Sequence, residues 1–369
     1  MIGVVVRGGS SDILAPLGVP SDVALAPFAA RYHLADFAHA SLRNSGIRVS
    51  DVDASESPRP GARLRAALRS GAQLPPHDAD TPVVVLVADH VLDADLRPVL
   101  ARHRTVGADL GLLCVPAGSA PSDACLLDVD VHGTVRPASA GPSATHALML
   151  TWTGDVVVRA GSLARLLATL EGRRAGSDAA HIGALACTHH IVAHDLFAAR
   201  PSERRPYWHE PSTVEAYYGA HMDLCTDSPQ LDLYDPNWPV PATGDGLPPA
   251  KVVSGESAHA GQALDALLGD GALIRGGSVI RTVVGRGVFV DVGAEIEDSL
   301  LLDGCRIGRG ARVRRAVVGA GALVGKGEHI GYADETCATA VIERRASGLT
   351  LVFPGPVPLA PVCVPHGRG

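Results

Sequence analysis

GALIRGGSVIRTVVGRGVFVDVGAEIEDSLLLDGCRIGRGARVRRAVVGAGALVGKGEHIG, residues 271–331, places an aliphatic side chain at every sixth position over most of its length. Val290, Ile296 and Leu302 form one series, Ile307 and Val313 a second, and Val318, Val324 and Ile330 a third, with small residues and glycines between them. Hairpin strands alternate with a period of two and hold no such register. The pattern fits a parallel β-helix, in which each face of a coil sends one side chain inward. Such coils leave a flat lateral surface, so an oligomer is expected.

Upstream of the repeat, residues 231–262 are rich in Pro, Gly and Asp and carry no periodicity, which reads as a linker. It separates a first domain at 1–230 from the β-helix at 263–369. Within the first domain strand and helix patterns alternate. An apolar strand at 2–6 is followed by helical spacing over 31–47, a second helix at 61–72 and a buried strand at 83–89. A helix at 95–108 and a strand at 109–116 follow. This order predicts a mostly parallel sheet with helices on both faces.

A chain of 369 residues, 46% hydrophobic and 19% charged, exceeds one ordinary core and lacks the composition of a disordered protein. Its net charge of −7 argues against nucleic acid as a partner. No apolar run has the length of a membrane span, and no secretory leader is visible. The seven cysteines form no C-x-x-C pair and read as reduced thiols. A cytoplasmic protein is expected. Only two lysines occur, Lys251 and Lys326, so charge near any site in the first 250 residues must come from arginine, histidine, backbone or metal.

Two features of the first domain point to phosphate chemistry. VVVRGGSSDILAPL, residues 4–17, ends an apolar strand in the glycine pair Gly8 and Gly9, an arrangement that lets backbone N–H groups meet a phosphate. Asp89 closes the buried strand at the edge where open α/β sheets place ligands. As a carboxylate it is a candidate ligand for a hard cation. His190 and His194 in THHIVAHD (188–195) have a spacing that can bind zinc, but no third ligand accompanies them. They read as a solvated helix face.

Five collinear segments carry a family resemblance: PFAARYHLADFAHASLRNSGI (27–47), VVVLVADHVLDADL (83–96), YWHEPSTVEAYYGAHMDL (207–224), LDLYDPNWPV (231–240) and PPAK (248–251). With the hexad repeat they resemble the bacterial and plant glucose-1-phosphate adenylyltransferases. The resemblance implies a Rossmann-like nucleotidyltransferase domain joined to a C-terminal left-handed parallel β-helix. It implies that a sugar 1-phosphate oxygen attacks the α-phosphate of a nucleoside triphosphate and that pyrophosphate leaves, with Mg²⁺ and cationic side chains at the reacting phosphate. Asp89 and Glu210 then become the Mg²⁺ ligands, while Gly154, Tyr207 and Glu210 lie on the sugar side. Gly8, Gly9, Ser10 and Ser11 form the nucleotide loop.

Several family features are missing. Ser11 and Ile13 stand where the family loop has its third glycine and its arginine, and Val23 stands where it has a lysine. Arg7 and Arg31 are candidates to supply the lost catalytic charge, with Arg43 and Arg136 nearby. The changed contacts fit a different base and acceptor, such as GTP and a C7-cyclitol 1-phosphate of aminocyclitol antibiotic synthesis. An inactive homologue serving as a regulatory or assembly subunit, in a homo- or hetero-oligomer, is the competing reading. Retention of both carboxylates favours the enzyme.

Overall fold

A computed structural model describes residues 1–7, 13–53, 62–73, 78–119, 125–136, 148–171, 176–198, 205–242, 246–255, 260–333 and 336–355. The nucleotide loop expected at Gly8, Gly9, Ser10 and Ser11 lies outside these residues.

The N-terminal sheet grows from β1 (Ile2–Arg7), which pairs in parallel with β2 (Arg48–Asp53) on one side and β3 (Pro82–Val87) on the other. Alternate residues of these strands enter two separate cores. Val4, Val6, Val83 and Val85 pack under the helices α2 (Arg63–Ala72), α4 (Leu163–Glu171) and α5 (Asp178–Ala186). Val5, Val84 and Leu86 pack under α1 (Leu34–Asn44) and α3 (Arg97–Val106). Helices therefore cover both faces, and every residue of β3 is buried.

The sheet is less parallel than expected. A twelve-residue strand, β7 (Leu148–Arg159), runs antiparallel between β3 and β5 (Leu110–Pro116), and β6 (Leu126–Val129) pairs antiparallel with it. Its Thr-Trp-Thr-Gly interior obscures the apolar pattern that marks the other strands. β8 (Ile191–Asp195) closes the far edge in parallel with β5.

The stretch read as a solvated helix face around His194 is thus β8, and His194 is buried. Its Nε2 lies 3.4 Å from Nδ1 of His103 on α3. Gly111 of β5 makes the room: a Cβ there would sit 2.7 Å from the His194 ring and 2.8 Å from His103 Nδ1. Burial pushes His103 down to about 4 and His194 down to about 3. An unfolded chain takes up these protons near pH ~6.5, so between that pH and ~4 the unfolded state holds more protons and stability falls with pH. The slope is about 1.4 kcal/mol per pH unit for each ring. Melting temperatures measured from pH 7.5 to 4.5 are expected to fall more steeply for the native protein than for His103→Gln/His194→Gln. Parallel curves would remove the pair from the acid response.

The C-terminal unit is a parallel β-helix whose coils advance by 17 residues, as Ser278, Glu295 and Arg312 stack in register. The hexad series breaks because each such coil has two six-residue faces and one of five. The inward residues are Val284, Val290, Ile296, Leu301, Ile307, Val313, Val318, Val324 and Ile330. Leu301, and not Leu302, therefore fills the coil. The short face turns through Arg281, Asp298 and Arg315, all with positive φ. There Arg281 bonds Asp298 at 2.7 Å and Glu297 at 2.6 Å. The β-helix also begins inside the expected linker, because Lys251–Val253 already pairs with Leu273–Arg275.

Outward residues of the short face, Val283, Leu300 and Val317, together with Leu302 beside it, join one apolar cluster with Leu14, Leu17, Phe28 and Tyr217 of the N-terminal domain. Leu231 and Trp238 of the linker are buried, so residues 231–238 are docked and not free.

Candidate functional site

β3 ends at Val87, and Ala88, Asp89 and His90 turn the chain into β4 (Val91–Asp93). β4 pairs antiparallel with β9 (Tyr207–His209), Leu92 opposite Trp208 and Val91 opposite His209. That register returns the next residue, Glu210, to the turn that holds Asp89. The short ladder thus joins two carboxylates that are far apart in sequence.

They converge on a cation. Nη2 of Arg63, the first residue of α2, is 3.0 Å from Asp89 Oδ2 and donates to Glu210 Oε1 at 2.7 Å. Asp178 of α5 accepts from the Leu64 N–H at 3.2 Å, and Arg65 donates to Leu170 O at 2.8 Å, which pins the first turn of α2. Gly154 of β7 lies beside the arginine stem, at a φ of +105° that favours glycine.

Behind this pair stands a second layer. His90 Nδ1 bonds Asp89 Oδ1 at 2.8 Å, and its Nε2 bonds Asp155 Oδ2 at 3.0 Å. Asp155, fully buried on β7, also accepts from the Val87 N–H at 2.9 Å and from the Thr153 hydroxyl at 2.9 Å. Burial opposes the imidazolium, but Asp155 and Asp89 outweigh it and push His90 up to about 10. Burial would raise the Asp89 carboxyl, yet Arg63 and His90 hold it below the usual carboxylate value. Three carboxylates therefore face two fixed cations.

The Mg²⁺ that the resemblance implies does not fit this arrangement. Nη2 of Arg63 holds the point at which Asp89 and Glu210 meet, and of the Asp89 oxygens one is ion-paired to Arg63 and the other hydrogen-bonded to His90. Among the described residues no three His, Cys, Asp or Glu side chains converge as a metal site.

Of the expected site residues, Asp89, Glu210 and Gly154 lie together around Arg63. Arg7 ends β1 on the same sheet edge, one strand from Asp89. Tyr207 is not a pocket residue: β9 turns it into the apolar cluster with Val91 and Tyr217, and its neighbour Trp208 packs on the opposite core beside His90. Arg31 leaves the site as well. It sits 56% exposed in the turn after Ala29 and Ala30, both of positive φ, and pairs with Asp270 of the β-helix at 3.2 Å. Arg136 pairs with Asp128 at 3.7 Å. Sequence reasoning missed Arg63, His90 and Asp155. Arg63 falls in GARLRA (61–66), inside the helix expected at 61–72, where an arginine reads as an ordinary surface residue.

An α/β sheet with a carboxylate cluster at its strand ends, joined to a β-helix of hexads, defines the nucleotidyltransferase class with a left-handed β-helix. Residues 248–352 match the family described as GlmU-like, C-terminal hexapeptide. Over 361 residues the chain is 26% identical to a glucose-1-phosphate adenylyltransferase of Deinococcus deserti, covering 84% of this chain and 87% of that protein. Its counterpart from Frankia casuarinae is 27% identical over 367 residues, with the same coverage of 84% and 87%. The Rhodopirellula baltica protein of that name is 43% identical over 116 residues, 31% of this chain and 26% of its own. Over most of its length the chain is thus similar to glucose-1-phosphate adenylyltransferases, as a divergent relative.

Proposed function

We infer that this protein transfers a nucleotidyl group from a nucleoside triphosphate to a sugar-type 1-phosphate. The observation that carries the reading is the convergence of Asp89 and Glu210 on one cation at the strand ends, one strand from the end of β1. In the reaction an acceptor phosphate oxygen forms a bond to the α-phosphorus. The bond from that phosphorus to the bridging oxygen breaks, and pyrophosphate leaves with the electron pair. Arg63 and Arg7 supply positive charge along that edge, while Asp89 and Glu210 hold Arg63 in place.

Ser11, Ile13 and Val23, in place of the family's glycine, arginine and lysine, support an altered base and acceptor, GTP with a C7-cyclitol 1-phosphate of antibiotic synthesis being the pair we favour. The same losses, with a carboxylate pair closed by its own arginine, favour the second reading, an inactive subunit that supports a catalytic paralogue.

The test is pyrophosphate release by the full chain with ATP or GTP against a panel of sugar and cyclitol 1-phosphates in magnesium buffer. Turnover with one pair is the expected result and identifies base and acceptor. Silence across the panel, with stable assembly on a paralogue whose activity it alters, establishes the subunit instead.

A further inference from the structure

We propose that Arg63 is the resident counter-cation of the Asp89–Glu210 pair, so that this pair takes no divalent ion. The proposal deepens the functional reading above, because it names the charge at that site, but the geometry stands without it. One nitrogen meets both carboxylates at 3.0 Å and 2.7 Å, the separations of direct ion pairs. Mg²⁺ needs shorter contacts, near-octahedral geometry and ligands that are free to turn toward it. Here the guanidinium fills the shared point, and the other Asp89 oxygen is occupied by His90 at 2.8 Å.

The arginine is built in and not a passing surface contact. Its helix is tied at the first turn by Asp178 and at the next residue by Leu170 and His181. Removing Arg63 leaves Asp89 held by His90 alone and takes the ion-pair partner from Glu210, a carboxylate pair that would recruit an external cation.

The test uses Mn²⁺ alone, titrated into the nucleotide-free full chain and followed by the paramagnetic resonance of the free ion. The native protein is expected to show no saturable site beyond that of Asp89→Asn. Arg63→Ala is expected to gain one site per chain, about tenfold or more tighter than any in the native protein, equivalent to about 1.4 kcal/mol or more. Arg63→Ala/Asp89→Asn should lose it. Mg²⁺ should correspondingly raise the melting temperature of Arg63→Ala and not that of the native chain. Arg63→Gln, which keeps most of the side-chain volume, serves where the alanine variant does not fold.

A saturable Mn²⁺ site in the native protein that Asp89→Asn abolishes would overturn the proposal. So would folded Arg63→Ala and Arg63→Gln proteins that gain no site. Neither substrate enters this titration, so its failure leaves the pyrophosphate assay, and the functional reading, standing on their own.

Discussion

Asp89→Asn is expected to slow pyrophosphate release by about 10²–10³-fold, with the loss in kcat and little change in KM. Asp89 presents one oxygen to Arg63 and the other to His90, and both partners are donors at this site. An asparagine offers only one acceptor, so its amide NH₂ must face one of those donors. Either Arg63 is released from the point it shares with Glu210, or His90 swings off the Asp155 anchor. The cation then no longer stands where charge accumulates as the phosphorus is attacked. Asp89 acts as a positioning residue, which is why the effect falls on turnover. Asp89→Glu keeps the charge but moves it by one bond, and should recover part of the rate. Circular dichroism and melting curves separate this from unfolding. A folded Asp89→Asn protein with close to native turnover would remove the cluster from the reaction.

The parts of this site that were legible in the sequence are those fixed by local pattern. Asp89 follows an unbroken apolar run, and a strand buried on both faces has to end at a sheet edge. Glu210 was legible only through its motif, since the ladder that carries it to Asp89 lies between two three-residue strands too short to show a period. Arg63 carried no signal at all: an arginine at the first position of a helix is ordinary, and its meaning comes from two carboxylates supplied by other elements. The β-helix illustrates the same limit. A six-residue rule identifies the fold, but the shortened third face shifts the register by one. Leu302 therefore reads as core while the coil is filled by Leu301. Tyr207 and Trp208 likewise alternate between two cores, a partition that depends on which layers the strand separates.

The other large effect concerns the junction of the two domains. A chain ending at residue 247 is expected to be unable to fold into a stable monomer, although it keeps the whole α/β sheet. Leu17, Phe28 and Tyr217 are fully buried, and they share one apolar cluster with Val283, Leu300, Val317 and Leu351 of the β-helix. Polar contacts follow the same seam: the Leu17 carbonyl accepts from the Ala320 N–H at 2.7 Å, and the Tyr218 hydroxyl donates to the Asp298 carbonyl at 2.7 Å. Arg286, paired with Asp303 at 2.7 Å, reaches His33 at 3.0 Å. Fully exposing a large apolar side chain costs about 1.5–3 kcal/mol, so uncovering a few of them in part consumes much of a net stability of about 5–15 kcal/mol. The truncated protein should aggregate or bind a hydrophobic dye without a cooperative melt. Leu300→Asp in the full chain should lower the melting temperature of both domains together, because that side chain touches the N-terminal cluster and not the coil interior. A soluble 1–247 fragment that melts as sharply as the full chain would show the two domains to be independent, and the seam to be contact without cooperation.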